Sequence, residues 1–135
     1  SFSKLAGRYI HYFSGLEAAP GFNINGPLTI GENIADLGGL TLAYYALKKS
    51  FEGKGEPQPI DGFTWQQRFF LGWAQVWHEN ITDASLRNQI QTDTHSPARF
   101  RINGPLPHLK EFADAWGCAP GSKMVLADTA RVVIW

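Results

Sequence analysis

The stretch from Thr29 to Lys49, "TIGENIADLGGLTLAYYALKK", constrains this chain more than any other. Its apolar residues recur at helical intervals, yet its first turns carry two carboxylates, Glu32 and Asp36. At about 100° per residue and with Glu32 at zero, Asp36 falls at about 40°, Ala43 at about 20°, Leu47 at about 60°, Leu40 at about 80° and Ala35 at about 300°. Both acids therefore lie inside the apolar arc. An ionised carboxylate taken out of water is costly unless it is paired or bound to a metal, so this face must meet something that compensates charge. Gly39 lies on the same face, where Ala would favour a helix by roughly 1 kcal/mol, and predicts a closely packed neighbour.

Several arrangements satisfy the pattern. Thr29-x-x-Glu32 has the form of a capping box that satisfies free N–H groups at a helix start, which covers Glu32 but not Asp36. Two carboxylates at i,i+4 also suit two layers of one metal site, the first binding the cation and the second accepting a hydrogen bond from a ligating His. A buried Arg or Lys partner is the third solution. Periodicity leaves these open.

The 135 residues make one ordinary domain, and 44% hydrophobic with 13% aromatic residues is enough for a core. Twelve Lys plus Arg balance twelve Asp plus Glu, so no basic field points to nucleic acid or an anionic membrane. Cys118 is the only cysteine, which excludes an internal disulfide or a cysteine-based metal cluster. No run reaches the roughly 18 apolar residues of a membrane span. The chain starts without Met in what reads as the body of a helix, so it is expected to be a piece of something longer.

Along the chain, Phe2–Phe13 reads as helix and "SGLEAAPGFNINGPLTIG" as an irregular connection. The Glu32 helix is expected from Thr29 to near Gly53. "FTWQQRFFLGWAQVWHEN" places Phe69, Trp73, Val76 and Trp77 at helical spacing and is the candidate for the central core helix. "DASLRNQIQTD" reads as a polar helix, "THSPARFRINGPLP" as a loop or extended segment, "LKEFADAWG" as a helix stopped by Gly117, and "ARVVIW" as a short terminal strand.

Among the histidines, His78 opens "HENIT" and falls one His short of the zinc-helix pattern H-E-x-x-H. His11 and His108 lack neighbours at ligand spacing and read as surface or packing residues. His95 sits before a Ser-Pro break, six residues ahead of Arg101. An imidazole can donate to a developing oxyanion and a guanidinium can grip a carbonyl or carboxylate. Arg99 and Arg101 alternate across Phe100, and in an extended segment both would face one way.

Taken together, "GENIADLGGL", "TDTHSPARFRINGPL", "FADAWGC" and "RVVIW" resemble the neprilysin family of zinc metallopeptidases, in the same order over nearly the whole chain. The resemblance implies a mainly α fold, the helical C-terminal portion of a thermolysin-like catalytic domain with a short C-terminal strand, spanning residues 1–135 as a single region. It implies that Glu32 is a ligand to zinc, that Asp36 hydrogen-bonds a zinc-bound His, that His95 stabilises the oxyanion, and that Arg101 grips the substrate backbone. It implies hydrolysis of internal bonds of oligopeptides, and an extracytoplasmic, membrane-anchored or periplasmic setting. Family members often pair a cysteine at the place of Cys118 with one elsewhere in the chain.

The H-E-x-x-H helix does not occur in these residues and is expected upstream, as part of a missing N-terminal portion of the domain. This segment alone is thus expected neither to hold zinc tightly nor to cleave peptides, and to self-associate through an exposed apolar face. The rival reading is a non-catalytic helical module, derived from such a peptidase, that binds a peptide or partner. A carboxylate pair for glycoside hydrolysis ranks last, since two acids on one helical turn cannot flank a sugar bond.

Overall fold

The computed structural model describes residues 1–134. A chain rich in helix formers with sharply punctuated ends gives α1 (Phe2–Ser14), a hairpin of β1 (Glu17–Ala19) and β2 (Phe22–Asn23), α2 (Gly26–Lys49), α3 (Trp65–Val76), α4 (Asp83–Thr92), α5 (Ala98–Asn103), a 3-10 turn (Leu106–His108) and α6 (Lys110–Trp116). The architecture is mainly α, as expected.

The central element is α2. It begins earlier than Thr29 because Asn25 caps it, accepting from the Leu28 N–H, and Pro27 sits in the first turn, where a missing N–H costs nothing. The Thr29 capping box therefore does not form; the Thr29 hydroxyl donates to the Asn25 carbonyl inside the helix. A reciprocal capping box occurs instead at Thr64 and Gln67, opening α3. The helix ends at Lys49, short of Gly53, and an exposed loop follows.

Residues Thr29, Asn33, Asp36, Leu37, Leu40 and Tyr44 form the buried stripe of α2, packed on Tyr9 and Phe13 of α1 and on an aromatic cluster where Tyr44 meets Trp65 and Phe70. This stripe is rotated from the predicted arc. Leu40 faces the core, whereas Ala35, Gly39 and Ala43 are exposed. A Cβ at Gly39 would meet nothing within 4 Å, so among the described residues no close neighbour exists there. The close approaches occur at Gly26, where a Cβ would collide with the Ile10 carbonyl and the Ser14 hydroxyl, and at Gly104, against the Phe13 ring.

Other expectations change. The connection before α2 is ordered as the hairpin, with Gly21 at φ 76° in its turn. α3 is not the central helix: it buries Trp65 and Phe70, leaves Phe69 and Trp73 half-buried, and exposes Val76 at 69%. "THSPARFRINGPLP" is largely helical, with Pro97 standing just before α5 rather than breaking it. The expected terminal strand does not form at 131–134; the buried Val132 instead donates its N–H to His108 Nδ1. Its last residue, Trp135, lies outside the described residues. α6 stops at Gly117 in the left-handed conformation (φ 59°), as the glycine predicts.

Candidate active site

Helix α2 carries Glu32 and Asp36 one turn apart, and the segment from Asp93 through α5 crosses beside them. In α5 residues two apart diverge by about 200°, so Arg101 turns inward while Arg99 leans over its neighbour Phe100. Arg101, not Arg99, is thus the arginine that faces the acids of α2.

Arg101 reaches Asp36 with both arms of its fork: Nε donates to Oδ2 at 2.8 Å and Nη2 to Oδ1 at 2.7 Å. Asp36 is 6% exposed, so the buried carboxylate is balanced by a bidentate guanidinium, the arrangement that best offsets desolvation. The Asp36 hydrogen bonds, as the leading cause, raise the pKa of Arg101 above its ordinary value. The Trp77 ring lies 3.8 Å beneath the guanidinium carbon, and Trp73 Nε1 donates to the Arg101 carbonyl at 3.2 Å.

Glu32 stands at the rim. Its side chain is 41% exposed, and its carboxylate lies 3.3 Å from His95 Nε2 and 3.7 Å from Arg101 Nη2. His95 in turn is held by Asp93, whose Oδ1 meets both the His95 backbone N–H at 2.8 Å and Nδ1 at 2.7 Å. Those two contacts, the backbone one first, lower the Asp93 pKa. With Asp93 as an acceptor, the proton sits on His95 Nδ1 and leaves Nε2 pointed toward Glu32. Between the two acids, Asn33 Oδ1 accepts from Ser96 Oγ at 2.8 Å and Asn33 Nδ2 donates to Thr29 Oγ1 at 2.9 Å.

All four residues singled out in the sequence, Glu32, Asp36, His95 and Arg101, thus converge in one cluster from segments some 60 positions apart. Asp93, Asn33, Ser96 and Trp77 were missed. Asp93 carried a signal, an Asp two residues before a His and able to fold back on its ring; Trp77 carried none, since it read as core. His108, by contrast, is a packing residue: 2% exposed, edge-on to Tyr9 and Tyr12, with burial pushing its pKa down to about 4. His11 and His78 are exposed and take no part.

As a metal site the cluster is partial. Among the described residues no three His, Cys, Asp or Glu side chains are grouped to hold an ion, and catalytic zinc takes three protein ligands plus an open position. Glu32, acidic and accessible, fits as one ligand; Asp36, occupied by Arg101, does not fit as another.

Comparison with known proteins gives a consistent result. The model of peptidase family M13 matches residues 1–132. Endothelin-converting enzyme 1 of Mus musculus is 48% identical over 103 residues, which cover 75% of this chain and 13% of that protein. Neprilysin-3 of Drosophila melanogaster is 39% identical over 118 residues, 85% of this chain and 15% of its own. The crystal structure of the zinc metalloprotease Zmp1 of Mycobacterium tuberculosis, in complex with an inhibitor, superposes with a TM-score of 0.94 at 35% identity, over 99% of this chain and 21% of its own. The chain therefore spans less than a sixth of the length of these curated relatives.

Proposed function

Because the chain belongs to peptidase family M13, we propose that it is the C-terminal segment of a zinc-dependent endopeptidase acting on internal bonds of oligopeptides. The observation that carries this reading is the convergence of Glu32, Asp36, His95 and Arg101, with His95 Nε2 and the Arg101 fork both turned toward the two acids. Three of these groups have tasks the geometry suits. Glu32 offers a carboxylate ligand at an accessible rim. His95, its Nδ1 engaged by Asp93, presents Nε2 as a donor to a developing oxyanion once that nitrogen is protonated. Arg101 spends Nε and one Nη2 proton on Asp36 and keeps its Nη1 protons for a peptide carbonyl.

Asp36 has two roles to reconcile. Each of its oxygens accepts one bond from Arg101, and a carboxylate oxygen has a second lone pair, so the same group can also receive the N–H of a zinc-bound His from upstream. When bound, zinc polarises the scissile carbonyl and activates water. The remaining ligands and the general-base Glu belong to an upstream H-E-x-x-H helix. The extracytoplasmic, membrane-anchored or periplasmic setting that the family implies is a property of the parent protein; no helix among the described residues is long and apolar enough to cross a membrane.

Incubating the 135-residue chain with zinc and an internally quenched peptide tests the division of labour. No turnover is expected from the segment alone, and chelator-sensitive turnover is expected from the parent chain carrying the upstream helix. Turnover by the segment, or none by the parent, overturns the reading. A parent chain without H-E-x-x-H would favour a non-catalytic peptide- or partner-binding module.

The outward side of α2 supports a second element of the proposal. Gly39, Ala43, Gly72, Trp73 and Val76 line a nearly wholly apolar cleft of about 290 Å³, beside Leu42 at 65% exposure. This face is where the upstream half of the domain packs, and in the isolated segment it drives self-association. Sizing the purified chain is expected to show dimers or larger species that Val76→Glu disperses; a monodisperse monomer counts against it.

A further inference from the structure

Three side-chain pairs join the two motifs in the same order along both segments. Glu32 faces His95 at 3.3 Å, Asn33 bonds Ser96 at 2.8 Å, and Asp36 takes Arg101 at 2.7 and 2.8 Å. The outer pair is about two-fifths exposed, with side chains at 41% and 44%. The middle pair is sealed: Asn33 and Ser96 are each 1% exposed.

The middle contact is braced at both ends of the Asn33 amide. The Thr29 hydroxyl donates to the Asn25 carbonyl at 2.9 Å and its oxygen accepts from Asn33 Nδ2 at 2.9 Å. That orients the Asn33 amide and presents Oδ1 to Ser96. Removing either hydroxyl leaves one end of the buried Asn33 amide unpaired, and such a loss is costly. A neutral hydrogen bond also tolerates a narrower range of distances than a charge pair, whose energy falls only as the inverse of separation. Ser96 is followed by Pro97, whose carbonyl accepts the Arg101 N–H at 3.1 Å in the first turn of α5. A displacement at Ser96 thus passes to His95 on one side and, through a rigid turn, to Arg101 on the other.

We infer that Asn33 and Ser96 are positioning residues, a buried tie that sets the spacing of His95 against Glu32 and the seating of Arg101 on Asp36. Its catalytic meaning rests on the roles proposed above for those four residues; the tie itself does not.

The test is nuclear magnetic resonance on the 135-residue chain with Ser96→Ala. The expected result is loss of cross-relaxation between the His95 ring protons and the Glu32 side chain, and exchange of the Arg101 Nε–H with water faster by about tenfold or more. The aromatic signals of Tyr44, Trp65 and Phe70 should stay in place. Thr29→Val, which releases the Asn33 amide without touching the 95–101 segment, should act in the same direction but less strongly, and it decides the question if Ser96→Ala fails to fold. A folded Ser96→Ala with only a lower denaturation midpoint, and with both site signals unchanged, overturns the inference; so do unchanged site signals in Thr29→Val when that variant must decide. Neither readout depends on zinc or peptide hydrolysis, so an inactive parent enzyme would remove the proposed function and leave the tie standing.

Discussion

Glu32 and Asp36 stand one turn apart on the same helix and occupy different media. The Asp36 side chain is 7% exposed and clasped by two hydrogen bonds from Arg101; the Glu32 side chain is 41% exposed, with its partners at 3.3 and 3.7 Å. The inner acid has been committed to a fixed structural geometry, while the rim acid keeps free lone pairs and room for a ligand. Identical chemistry thus meets two environments within about 40° of helical rotation, because the buried stripe of α2 begins where Asp36 lies and leaves Glu32 outside it.

The largest effect is expected inside. Arg101→Leu leaves the Asp36 charge buried without a partner and should cost about 3–5 kcal/mol in chemical denaturation, whereas adding Asp36→Leu to it should recover most of that loss, since the apolar pair no longer carries a desolvated charge. A double variant as unstable as the single would mean that Arg101 stabilises through its packing on Trp77 rather than through Asp36.

A second interior group gives a pH signature. His108 accepts from the Val132 N–H at Nδ1 and is buried, with its pKa down to about 4 from an ordinary 6.5, chiefly through burial and secondarily through the nearby Arg8 and Arg131. Above pH 6.5 the imidazole is neutral in both states and its burial is not penalised. As pH falls from 6.5 toward 4, the unfolded chain takes up a proton that the fold refuses, so stability should drop by on the order of 3 kcal/mol and then level off. His108→Asn should flatten that part of the profile in urea titrations from pH 7.5 to 4; an unchanged slope would assign the acid sensitivity elsewhere.

Much of this division could be read from residue types. The co-occurrence of "GENIAD" with "THSPARFR" pointed to the neprilysin-like family, which the match to peptidase family M13 bears out, and helical winding placed two acids at an apolar face. What sequence could not supply was rotation. The predicted arc includes Ala35, Gly39 and Ala43 because they are small and apolar, yet all three are exposed, and the stripe is set instead by Tyr9, Phe13 and the Tyr44 cluster. Asn25-Gly26-Pro27 was a better helix start than Thr29, because it combines a capping acceptor with a residue that needs no N–H. α5 is hidden in the sequence because Pro97, Gly104 and Pro105 are residues typical of loops, yet they flank a six-residue helix. That helix alone separates Arg101 from Arg99, so the site's key pairing was not legible locally.

The smallest effect, and the sharpest contrast, is expected at the rim. Glu32→Gln removes a charge from two loose contacts that water already screens, and exposed pairs of this kind contribute little. Its cost in denaturation should therefore lie within about 0.5 kcal/mol, an order of magnitude below that of breaking the Arg101 pair one turn away. The cross-relaxation between His95 and the residue 32 side chain should persist, because Asp93 and Ser96 hold the segment independently of Glu32. In the parent enzyme the same change should abolish chelator-sensitive turnover, since a neutral amide is a far poorer zinc ligand than a carboxylate. Negligible stability cost together with complete functional loss is what an acid reserved for a ligand must show. A Glu32→Gln chain destabilised as severely as Arg101→Leu would instead make Glu32 a second structural partner of Arg101, and the distinction between interior and rim would collapse.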